Sequence, residues 1–160
     1  MTAKPKCNAQ WSALAGWLGL CLGVAAFGGL FGPSEWFAQL HKPSWSPPNW
    51  IFGPVWTMLY IMMAIAAWRV WRLDGDGGRR KALALFLAQL ALNAAWTPLF
   101  FGLKQPGLAF AEIMLLWFAI GATTAAFFKL DRAAAWLMIP YLAWVSFASV
   151  LNFALWRLNV

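Results

Sequence analysis

Five stretches of this chain, each about 19–24 residues long, carry no charge or a single one; they cover 11–31, 50–68, 82–103, 105–128 and 133–156. The one exception inside them is Glu112 in the fourth. An α-helix rises about 1.5 Å per residue, so roughly 20 residues cross a hydrocarbon core of about 30 Å. Membrane β-strands would show alternating segments of about 10 residues instead, and these runs do not alternate. The pattern predicts an all-α integral membrane protein built as a bundle of five transmembrane helices.

Composition agrees. Hydrophobic residues make up 62% and charged residues 11%, against about 45–50% and about 25% in soluble domains. A soluble chain of 160 residues has no interior large enough to hide that much apolar surface. Lys4 and Lys6 precede the first run, as in a signal peptide, but the run exceeds the usual apolar core of about 7–15 residues and reads as a retained helix.

The net charge of +7 is a matter of topology, not of nucleic-acid binding. Lys4, Lys6, Arg69, Arg72, Arg79, Arg80, Lys81, Lys129 and Arg132 fall on one side of the membrane; Lys42, Lys104 and Arg157 fall on the other. For insertion through an inner membrane this bias puts the N-terminus in the cytoplasm. A bacterial membrane, inner or outer, is expected, or a mitochondrial outer membrane in a eukaryote.

The expected organisation is a flexible tail over 1–10, then one domain over 11–160 with helices at about 11–31, 50–73, 80–103, 107–129 and 132–157. The longest connection, 32–49, ends in the proline-rich run KPSWSPPNW. DGDGG at 74–78, KQPG at 104–107 and KLDR at 129–132 read as tight turns that force antiparallel neighbours. Gly19 and Gly23 form a GxxxG pair, and Ala84, Ala88, Ala91 and Ala95 form a second small-residue face. Such faces serve packing inside the bundle or association of two chains; a homodimer is expected from them.

Gln89, Asn93 and Trp96 share one face of the third span, and Pro140, Trp144, Ala148 and Asn152 share one face of the fifth. The second span adds Trp56, Tyr60 and Met63. Polar amides in hydrocarbon turn inward, because an unpaired polar group there costs roughly 2–7 kcal/mol. Two readings stay open: hydrogen bonds that hold helices together, or the wall of a pocket for a flat apolar ligand. Trp11, Trp36, Trp45, Trp50, Trp71, Trp136 and Trp156 suit an interfacial belt; Trp56, Trp96, Trp117 and Trp144 sit deeper.

Conventional catalytic groups are sparse. His41 is the sole histidine, a loop residue that is solvated or, less expectedly, a haem ligand. No serine accompanies it, so no nucleophilic triad assembles. Cys7 and Cys21 are too few for a cysteine-based metal site and are placed too differently to pair; no metal is expected. Glu112, about two turns into its span, either reaches the interface or couples a proton.

Five spans carrying WSPP at 45–48, WTMLY at 56–60, NAAWTP at 93–98, PYLAW at 140–144 and ASVLNF at 148–153 resemble the translocator protein family, also called the tryptophan-rich sensory protein or peripheral benzodiazepine receptor family. The likeness runs over about 11–159. It implies a commonly dimeric five-helix bundle that binds porphyrins such as protoporphyrin IX, along with sterols and benzodiazepine-site ligands, without a required cofactor. By matching motif the pocket residues are Trp36, Phe37, Pro47, Trp56, Tyr60, Asn93, Trp96, Trp144 and Ala148. The resemblance also implies a photochemical role for Trp56 and Trp144 in porphyrin breakdown.

Two positions depart from the family pattern. Phe37 stands where many relatives have tyrosine, and in the sterol-motif-like stretch Leu151, Phe153, Arg157 the central tyrosine is replaced by Phe153. The prolines at 43, 47 and 48 leave loop 32–49 little conformational entropy to lose, which suits a rigid lid in which Trp36 and Trp45 cover a cavity. Lys42 and Arg157 are expected on the same side as the lid, where they would meet ligand carboxylates.

Overall fold

The computed structural model describes residues 7–75 and 77–160, without the side chains of the first two. Lys4, Lys6, the Cys7 side chain and Asp76 lie outside the described residues. Among the described residues six α-helices follow in order: α1 (Cys7–Gly29), α2 (Glu35–Gln39), α3 (Asn49–Trp71), α4 (Arg79–Thr97), α5 (Pro106–Phe128) and α6 (Arg132–Leu158). A π-helical turn, Pro98–Gly102, continues α4. Counting that turn with α4, five of these are long and apolar enough to cross a membrane. The first begins at Cys7, so part of the expected tail is helical, and it stops at Gly29.

Each boundary has a local cause. Pro106 opens α5 at the position where a missing N–H costs least. Gly78 precedes α4 with φ of 97°, a left-handed conformation that a side chain would strain. Pro98 has no N–H to continue the α4 ladder, and the chain widens by one residue: the Leu103 amide donates to the Pro98 carbonyl at 2.8 Å.

The helices close a ring in which α1 packs on α3, α3 on α6, α6 on α5, α5 on α4 and α4 back on α1. Cys21, Met63, Phe86, Ile120 and Tyr141 are fully buried at its centre. Gly19 and Gly23 face outward, and a Cβ on either would meet nothing within 4 Å. Ala84, Ala88 and Ala91 are exposed as well. These small-residue faces are therefore not spent on packing inside the chain.

Opposite the lid, Asp131 joins the ends of α3 and α6. Its carboxylate accepts from the Ala133 and Ala134 amides at 2.9 and 3.1 Å, capping α6, and from the Arg69 Nε at 3.0 Å. Partial burial pushes its carboxyl up, but the hydrogen bonds and charge of Arg69 and the two amides outweigh that and hold it below the usual aspartate range. Its contribution is thus complete above that range and disappears as pH falls through the lowered value. Asp131→Ala is expected to cost roughly 0.5–2 kcal/mol at neutral pH, the worth of an N-cap. In denaturant unfolding, the gap from wild type should close on acidification.

Candidate functional site

In the lid half of the ring the helices stand apart around a cavity of about 360 Å³. This lies at the small end of the range for ligand pockets, about 300–1,000 Å³. Phe52, Trp56 and Tyr60 come from α3, Asn93 and Trp96 from α4, Ile113 and Leu116 from α5, and Trp144, Ala148 and Leu151 from α6. The π turn swings Phe100 and Phe101 into the wall. From above, α2 lays Trp36 and Phe37 against Phe100 at ring distances of 5.8 and 6.2 Å.

The polar groups at the floor are mostly committed to one another. The Tyr60 hydroxyl donates to Asn93 Oδ1. Asn93 Nδ2 donates to the Tyr141 hydroxyl at 2.7 Å, which donates to Gln89 Oε1 at 2.9 Å. Trp96 Nε1 donates to Asn152 Oδ1 at 3.0 Å, and Asn152 Nδ2 to the Pro106 carbonyl at 2.8 Å. Two nitrogens are left over, Gln89 Nε2 and Trp144 Nε1, both buried without a partner, and of the two residues Trp144 lines the cavity. The inward amides Gln89 and Asn93 hold helices together, and Asn93 also lines the cavity.

Of the residues expected at a pocket, Phe37, Trp56, Tyr60, Asn93, Trp96, Trp144 and Ala148 line it together. Trp36 and Pro47 do not. Trp36 buttresses Phe100 from behind, and Pro47 stiffens the lid from outside the wall. Leu151 lines the cavity, whereas Phe153 and Arg157, two and six residues further along the helix, turn outward and are exposed. Those three residues thus form no single site. Lys42 Nζ sits 4.3 Å over the Phe37 ring. Phe52, Phe100, Phe101 and Ile113 are wall residues that the motifs did not single out.

Glu112 does not reach the interface. It is 8% exposed, and both carboxylate oxygens lack a partner. A buried polar group left unpaired costs about 1–3 kcal/mol, so Glu112→Leu, close in size, is expected to raise unfolding stability in detergent by about that amount. A loss of stability would show that the carboxyl is held by a bound group.

A charge-poor ring of five spanning helices around a lidded aromatic cavity defines a multi-pass integral membrane protein with an internal chamber of small-molecule size. The chain belongs to the TspO/MBR family, which its residues 17–157 match. It is 45% identical over 152 residues to the tryptophan-rich sensory protein of Cereibacter sphaeroides, covering 95% of this chain and 94% of that one. The tryptophan-rich protein TspO of Chlorobaculum tepidum is 43% identical, with 95% and 99% covered. The human translocator protein is 46% identical over 128 residues, 78% of this chain and 75% of its own length.

Proposed function

We propose that this protein is a membrane receptor or carrier for planar, mostly apolar ligands, with porphyrins of the protoporphyrin IX type as the leading class. Sterols and benzodiazepine-site drugs are further candidates. The observation that carries the reading is Trp144 Nε1, buried without a partner on a residue that lines an aromatic cavity. Such a donor is costly in the empty protein and is satisfied by an acceptor at the edge of a bound ring. Flat ligands also match the ring pairs at the wall: Phe52 meets Trp144 edge-on at 5.8 Å, and Trp56 lies 5.6 Å from Tyr60.

The names of the relatives point to sensing and translocation, and either role needs reversible binding first. No cofactor is required. A homodimer through the outward Gly19 and Gly23 face or the face of Ala84, Ala88, Ala91 and Ala95 is part of the proposal. Titration of protoporphyrin IX in the dark, followed by tryptophan quenching, is expected to saturate; quenching that rises without saturation contradicts the reading.

A second reading follows from Trp56 and Trp144 lining one cavity: light-dependent degradation of bound porphyrin with the two indoles taking part. It predicts a spectral change on illumination that vanishes in Trp56→Phe or Trp144→Phe.

A further inference from the structure

The cavity is covered unevenly: its exposed lining residues gather at the end of α1, in the loop that follows and at the start of α3. Its roof is pinned at both ends: Phe37 packs on Phe101 at 5.3 Å, and Trp45 on Phe147 at 6.0 Å. Between them the lid is clasped to the end of α6. The His41 amide donates to Asn159 Oδ1 at 2.9 Å, and Asn159 Nδ2 returns a bond to the His41 carbonyl at 2.9 Å. The walls from α4, α5 and α6 are made of buried side chains such as Asn93, Ile113, Leu116, Val145 and Leu151.

The seam between α1 and α3 differs. Gly29, Gly32, Asn49, Gly53 and Thr57 line the cavity and are exposed at the same time. A Cβ added at Gly29 or Gly53 would meet nothing within 4 Å. From Asn49 to Thr57 the opening runs about 12 Å along α3, at a helical rise of about 1.5 Å per residue. Below it the seam closes on buried Cys21, Tyr60 and Met63.

Both helices are membrane spans, so this opening faces lipid sideways, starting at the lid end and reaching into the acyl region. We infer that ligands reach the cavity laterally, from the lid-side leaflet through the α1–α3 seam, while the lid stays latched. This rests on the cavity being the ligand site. The class admitted is a membrane-dissolved, flat apolar molecule entering edge-on, its polar edge passing the Asn49 amide and the Thr57 hydroxyl at the mouth. Gly29 and Gly53, on either side of the seam, widen the slot because neither projects a side chain into it.

Two measurements test it. The first is independent of any ligand. In a Cys7→Ser, Cys21→Ala background, a nitroxide is attached at Gly53→Cys in phospholipid vesicles. It is expected to collide with lipid-dissolved oxygen and to be shielded from a water-soluble nickel chelate. Shielding from both, or exposure to the chelate, overturns the lateral opening.

The second compares protoporphyrin IX association from preloaded vesicles in the dark. Gly53→Leu is expected to slow association by at least about tenfold, whereas Asn159→Ala, which unlatches the lid, changes it by less than about twofold. The reverse pattern makes the lid the way in and overturns the proposal. Absence of saturable binding in the wild type would contradict the ligand assignment, and the nitroxide result would still decide whether the seam opens to lipid.

Discussion

Tyr141→Phe is expected to cost roughly 1–3 kcal/mol for each of two groups it strands, Asn93 Nδ2 and Gln89 Oε1. The Tyr141 side chain is fully buried on α6 and joins two amides of α4, one turn apart, to the fifth span. Single interhelical hydrogen bonds in membranes average about 0.6 kcal/mol, because an unfolded chain in lipid also finds partners. Here the removal of one oxygen leaves a donor and an acceptor enclosed together with no access to water. That argues for the larger figure. Tyr60→Phe, which strands only Asn93 Oδ1, should cost about half as much. Unfolding in detergent by denaturant or heat checks both; equal stability of Tyr141→Phe and wild type would mean that the amides re-pair with each other.

Trp144→Phe is expected to move ligand binding and empty-protein stability differently. In the unliganded protein its indole N–H is buried without a partner, so removing it relieves a cost and offsets the smaller ring's lost contacts with Phe52 and Phe147 at 5.8 and 5.4 Å. The melting temperature should change little. With ligand present, the same substitution leaves the ligand acceptor unpaired. That is worth roughly 1–3 kcal/mol, or about 5- to 150-fold in Kd. A structural residue would lose stability and affinity together. Isothermal binding and thermal unfolding on the same preparations separate the two.

The spans were legible because charge is costly in hydrocarbon: charge-free runs of the right length locate helices whatever their neighbours do. The pocket was only half legible. In a lipid-facing helix both faces are apolar, so periodicity does not tell inward from outward. Tyr60, Asn93, Trp96 and Trp144 stood out by their polar handles, whereas Phe37 was placed at the pocket only through the family resemblance. Phe52, Phe100 and Phe101 carry no such mark. The last two depend on the π turn, which Pro98 permits and tertiary packing selects.

The five-residue helix α2 escaped notice for a related reason. It is too short to be stable alone and exists because Trp36 and Phe37 dock on Phe100. Glu112 could be placed by depth, but whether it faced the interface or the interior depended on the azimuth of α5, which its neighbours α4 and α6 determine. The prolines at 43, 47 and 48 did announce a stiff lid. They could not announce its latch, since Asn159 and His41 are brought together from opposite ends of the chain.

The central claim is that ligand occupies the chamber itself, and filling that chamber tests it most directly. Ala148 lines the cavity from α6, so Ala148→Trp has empty space to enter. Dark titration with protoporphyrin IX, beside a melting curve to confirm folding, should show saturable binding in wild type and its loss in a folded Ala148→Trp protein. Unchanged affinity in that folded variant would place the ligand elsewhere and contradict the account.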